Sequence, residues 1–95
     1  MQTFFTEGLK QKINDNFRRN HRLIEKVEKQ TRLFTQNSNH PSLRLHKLTN
    51  TQEDTWSISI DRSVRMLFYY RENNDEKVAI FFDLGSHDQL YRKKK

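Results

Sequence analysis

The stretch "WSISIDRSVRMLFYY", Trp56 to Tyr70, decides the fold. Its first five residues alternate: Trp56, Ile58 and Ile60 are apolar, Ser57 and Ser59 polar. A period of two is the pattern of a strand with one buried and one wet face. "DRS", Asp61 to Ser63, is a tight connection to "VRMLFYY", which is apolar on both faces, as a central strand is, except for Arg65. Parity groups Val64, Met66 and Phe68 on one face and Arg65, Leu67 and Tyr69 on the other. Two strands joined by so short a loop run antiparallel.

The same reading extends outward in both directions. "SLRLHKL", Ser42 to Leu48, sets Leu43 and Leu45 against Arg44 and His46 and reads as a strand. "RENNDEK", Arg71 to Lys77, reads as a polar hairpin loop, and "VAIFFDL", Val78 to Leu84, as a second strand apolar on both faces until Asp83. Together these predict a four-stranded antiparallel meander. Upstream, Phe5, Leu9, Ile13 and Phe17 recur every four residues, the stripe of an amphipathic helix that Thr6 can cap. "RRNHR", Arg18 to Arg22, turns the corner. Leu23, Ile24, Val27, Thr31 and Phe34 make a second helical face, which "TQNSNHP", Thr35 to Pro41, brings to an end. After Gly85 and Ser86, Asp88 and Gln89 start a short terminal helix. The expected fold is α+β: one domain over residues 1–95, its N-terminal helical hairpin packed on one face of the sheet.

Lys and Arg number 18 against 12 Asp and Glu, a formal charge of +6. That balance favours a polyanionic partner, nucleic acid or an acidic protein segment. The absence of cysteine excludes disulfides and thiolate metal sites. The four histidines show no ligand spacing, so neither a metal nor a cofactor is expected. No apolar run approaches the roughly 20 residues of a membrane span, so no membrane partner is expected. "MQTFFTEGLK" is too short and polar for a secretory signal, and the expected location is the cytoplasm.

The face left open by the helices carries the chemistry. Parity places Arg44, His46, Arg65 and Asp83 there, Asp83 sharing a side with Phe81 and Ala79, with His87 and Tyr91 beside it at the end of the last strand. Cleaving RNA through its own 2′-hydroxyl needs a base, an acid and a fixed cation for the phosphorane charge. Histidine and arginine supply all three without a metal. The pattern also fits blander roles. Asp83 could be the ion-pair partner of a buried Arg65, Tyr91 could be packing, and Arg62 and Lys93, Lys94 and Lys95 could simply be solvated.

"HPSLRLHKL", "WSISIDRSVRMLFYY" and "FFDLGSHDQLY" together resemble the RelE/ParE superfamily of type II toxins, and most of all its YafQ-like branch. The similarity spans almost the whole chain. It implies a microbial-RNase-like fold and a ribosome-dependent mRNA endoribonuclease that blocks translation. The implied partners are the ribosome with its mRNA and a cognate antitoxin, in a toxin–antitoxin hetero-oligomer. By position, His46 matches the histidine of the "H-x-L" strand and Arg65 the catalytic arginine of the central strand. His87 matches the histidine of "G-[ST]-H", and Tyr91 the aromatic after it. Arg44, Lys47, Arg62 and Asp83 stand as the substrate contacts. Several members hold a basic residue where this chain has Asp83, a place Arg62 or Arg44 could take. The superfamily also contains ParE-like poisons of DNA gyrase that cut nothing, and a further alternative is a folded relative whose toxic activity has decayed and that is still held by its antitoxin. The pair His46 and His87 points to the nuclease branch.

Overall fold

The computed structural model describes residues 1–49 and 54–91, apart from the side chains of His87 and Tyr91. Lys93, Lys94 and Lys95 lie outside the described residues. The chain runs β1 (Gln2–Phe5), α1 (Glu7–Phe17), α2 (His21–Gln36), β2 (His46–Lys47), β3 (Trp56–Ser59), β4 (Val64–Asn73), β5 (Glu76–Ser86) and α3 (His87–Tyr91).

The expected antiparallel meander is present as β2 to β5, but the sheet has five strands in the order β1-β5-β4-β3-β2. The added strand, β1, pairs parallel with β5 from Gln2 opposite Val78 to Phe5 opposite Phe81. The sheet is therefore mixed rather than wholly antiparallel. Phe5 belongs to this strand and not to the first helix. Its ring packs against Phe81 at 5.6 Å, so its four-residue spacing from Leu9 is a coincidence of register. Helix α1 starts after Thr6, whose hydroxyl accepts from Leu9 N at 3.1 Å, the cap read from the sequence. Asn20 caps α2 in the same way through Leu23 N.

The strand over "SLRLHKL" shrinks to His46 and Lys47. Pro41–Leu43 instead form a 3-10 turn, and Arg44 ends it in the left-handed region at φ 48°. Strands β4 and β5 continue through most of "RENNDEK" and meet in a turn at Asn74 and Asp75. Both turn residues have positive φ, 54° and 67°. That is the backbone of a two-residue hairpin, and Asn and Asp tolerate it well.

Helices α1 and α2 lie over one face of the sheet. Leu9, Leu23, Val27 and Phe34 from the helices close on Ile58, Met66, Phe68, Phe81 and Leu84 from the strands. Phe34 stands edge-on to Phe68 at 5.0 Å and to Phe81 at 5.6 Å. Trp56 is only half-buried, packed on the rim of this core against Tyr70. Parity places Ile58, Met66 and Phe68 correctly in the core, but it fails on β5. Leu67 faces Asp83 while Phe68 faces Phe81, so Phe82 is an extra residue in a β-bulge. The bulge moves Asp83 to the side of Leu67 and away from the side of Phe81.

Candidate active site

The open face is organised around Arg65. On β4 it stands opposite Ser59 on one side and Gly85 on the other. Its guanidinium leans toward β3 and β2. Nε donates to Ser57 Oγ at 3.0 Å and Nη2 to the same oxygen at 2.8 Å. Nη2 also donates to the carbonyl of Arg44 at 2.8 Å and lies 3.4 Å from His46 Nδ1. The Ser57 hydroxyl and the Arg44 carbonyl are neutral acceptors that orient the guanidinium. Arg65 itself is half-buried, and His46 is exposed.

Each partner owes its place to local structure. Ser57 sits on β3 directly opposite His46, and its side chain is fully buried beneath the guanidinium. Arg44 can present its carbonyl because the left-handed turn after Leu43 swings the peptide toward the sheet. A non-glycine residue held there costs roughly 1–3 kcal/mol, and the hydrogen bond from Arg65 helps hold it. An arginine side chain only donates, so the contact with His46 is a hydrogen bond when Nδ1 carries no proton.

The end of β5 explains the Gly-Ser pair. Ser86 Oγ accepts from Gln89 N at 3.2 Å, and Gln89 Oε1 accepts from Ser86 N at 2.9 Å. This is a reciprocal capping box that starts α3. A Cβ on Gly85 would come within 2.7 Å of Gln89 Oε1, so glycine is required for the side chain to fold back. Since Gly85 faces Arg65 in register, α3 begins on the face that carries the guanidinium. His87 and Tyr91 are the first and last residues of this helix, and their side chains lie outside what is described.

The remaining predicted residues make no described contact with Arg65. Asp83 accepts from Lys12 Nζ at 2.7 Å and is not the partner of Arg65. Lys47 follows His46 in the strand and so takes the opposite face, in register with Trp56, where it pairs with Asp54 at 3.3 Å. That pair is exposed and contributes little, about 0–1 kcal/mol. Arg62 is exposed in the β3–β4 turn. Among the described residues no group of three His, Asp or Glu side chains could hold a metal ion.

Sequence reasoning missed Ser57, read only as a residue facing outward, and the backbone role of Arg44. The one signal for Ser57 was its position, two residues along β3 from the partner of a lone strand arginine. For a site that uses the Arg65 guanidinium in catalysis, Ser57→Ala is expected to lower the rate about 10–100-fold, the scale of lost hydrogen bonds to a charged group, with substrate affinity little changed. Steady-state kinetics that separate kcat from KM check this.

No protein-family model matches the chain. A curated relative from Methanocaldococcus jannaschii, "Putative toxin RelE4", is 32% identical over 78 residues, covering 82% of this chain and 77% of the relative. Solved structures share the fold at lower identity. A YoeB/ParE toxin from Agrobacterium tumefaciens superposes with a TM-score of 0.72 at 16% identity, over 92% of this chain and 99% of that one. YafQ from E. coli strain BL21(DE3) gives 0.70 at 11%, over 95% and 97%. An archaeal RelE–RelB complex from Pyrococcus horikoshii OT3 gives 0.58 at 15%, over 97% of each chain.

Proposed function

We propose that this chain, which belongs to the RelE/ParE superfamily of toxins, is a ribosome-dependent mRNA endoribonuclease of the YafQ-like branch. The observation that carries the reading is the guanidinium of Arg65, fixed by Ser57 and the Arg44 carbonyl, 3.4 Å from an exposed His46. A charge held in place before the substrate arrives needs no reorganisation when the phosphorane forms.

The reaction follows from that geometry. Arg65 holds the scissile phosphate. Its pull toward phosphate oxygens loosens the long contact to His46 and frees the Nδ1 lone pair. His46 takes the proton from the 2′-hydroxyl, and the 2′-oxygen attacks phosphorus. The bond to the 5′-oxygen breaks, and that oxygen receives a proton from His87. The products are a 2′,3′-cyclic phosphate and a 5′-hydroxyl. Tyr91, one helical turn beyond His87, orients or stacks the substrate. His46 and His87 split the roles of base and acid.

The proposed partners are the ribosome with its mRNA, and a cognate antitoxin with an acidic segment that covers the Arg44–Arg65 face in a hetero-oligomer. The toxin works in the cytoplasm. In the described residues no helix is long and apolar enough to cross a membrane. The test is expression of the chain with translation, mRNA integrity and DNA supercoiling followed together, with and without the antitoxin. The expected result is a fall in translation with cut mRNA and unchanged supercoiling, reversed by the antitoxin. Lost supercoiling with intact mRNA would transfer the chain to the gyrase poisons.

A further inference from the structure

Beside the Arg65 site lies a cleft of about 650 Å³ between α2, the Pro41–Leu43 turn and the β3–β4 connection. Its size is that of a pocket for a small molecule or a short length of polymer. Four of its lining residues are cations: Lys26 and Lys29 from α2, and Arg44 and Arg62 from the two loops. None of the four has an ion-pair partner among the described residues. The one carboxylate among the described lining residues, Asp61, is committed to the turn, where Oδ1 accepts from Ser63 N at 2.9 Å and Val64 N at 2.8 Å. The floor is rigid. Buried Gln30 donates to the carbonyls of Ser59 and Ser42 at 2.9 and 3.4 Å, tying helix to sheet and turn.

Two features join this cleft to the site. Arg44 gives its carbonyl to Arg65 and also lines the cleft. Ser59 lines the cleft and stands in register opposite Arg65. Among the described residues no aromatic ring lines the cleft to stack a base. Concentrated, unneutralised cations without a stacking surface suit the backbone of a nucleic acid and read no sequence.

We infer that the cleft binds the phosphodiester backbone of the substrate RNA where the strand leaves Arg65 toward α2. The inference rests on the nuclease reading above and adds Lys26 and Lys29 to the residues that hold substrate. Lysines act there as point charges on phosphate, and the affinity they supply is electrostatic.

The experiment compares the wild-type chain with Lys26→Ala/Lys29→Ala. The probe is a short 2′-O-methyl RNA, which lacks the attacking hydroxyl and stays intact. Binding is measured across a salt series, and mRNA cleavage is measured separately in a translating extract. Removing two phosphate contacts to a single strand should reduce the slope of log affinity against log salt by about 1.4, which is about 25-fold in affinity at 0.1 M salt. Cleavage should weaken through substrate binding. Arg44→Gly should act in the same direction, because glycine keeps the left-handed backbone and removes only the side chain. Unchanged RNA binding and unchanged cleavage in the double variant would overturn the cleft while leaving the nuclease intact. Unchanged RNA binding with weakened antitoxin binding would also overturn it, and would assign the cleft to an acidic protein segment. A wild-type chain that neither binds the probe nor cuts mRNA would remove the nuclease reading and the cleft together.

Discussion

Arg65→Ala is expected to lower the rate of the proposed mRNA cleavage by about 10²–10⁴-fold, the scale of a lost preorganised charge or acid–base group. The size of the effect comes from what Arg65 does in two directions. Toward the substrate it supplies the fixed cation. Toward the protein it keeps His46 beside it and holds the Arg44 carbonyl in a backbone conformation the chain would not otherwise favour. Its loss leaves the buried Ser57 hydroxyl without these donors, a cost of about 1–3 kcal/mol that a domain of this size survives. Arg65→Lys keeps the charge but not the fork that spans Ser57 and Arg44, so it recovers only part of the rate. Single-turnover cleavage with a parallel thermal melt separates the two effects. A folded Arg65→Ala protein that cuts within tenfold of wild type would show that the guanidinium is structural.

The largest effect on stability falls on Phe34. Its ring is 1% exposed and meets Phe68 and Phe81 edge-on, joining α2 to the two longest strands. Phe34→Ala removes that contact and leaves a cavity, at a cost of about 3–5 kcal/mol. Small domains have roughly 5–15 kcal/mol in total, so much of the chain's stability would go. Phe4, on the edge strand β1 and 43% exposed, is the control: Phe4→Ala should change stability by no more than about 0.5 kcal/mol. Urea unfolding followed by circular dichroism checks both. Equal midpoints for the two variants would mean that the aromatic cluster is not the centre of the core.

What the sequence made legible follows the range over which each structure is determined. The alternation in "WSISI" and the apolar run after "DRS" are local, and they located β3, β4 and the face of Arg65. The Thr6 cap of α1 is local too and was read, whereas the Asn20 cap of α2 and the box between Ser86 and Gln89, though equally local, were not. Strand β1 was hidden because its pairing is with β5, some 76 positions away in register, and because Phe5 also satisfies a helical spacing. Asp83 lies on the face of Leu67 and Arg65, as expected, but its grouping with Phe81 and Ala79 failed because one extra residue in a bulge shifts the side-chain alternation, and nothing in "FFDL" marks it. At the site, His46 and Arg65 were found from residue type and parity. Ser57 and the Arg44 carbonyl were not, since a serine is unremarked in a strand and a carbonyl belongs to every residue. The grip on Arg65 is a tertiary arrangement of common groups.

The central claim is that the chain cuts RNA through its own 2′-hydroxyl with Arg65, His46 and His87. The most direct measurement is the chemistry of the ends left on mRNA in a translating extract, with the wild-type toxin and with His46→Ala. The account predicts a 2′,3′-cyclic phosphate and a 5′-hydroxyl at each cut, with these ends depleted about 10²–10⁴-fold by the substitution. Cuts that leave a 3′-hydroxyl and a 5′-phosphate would contradict it.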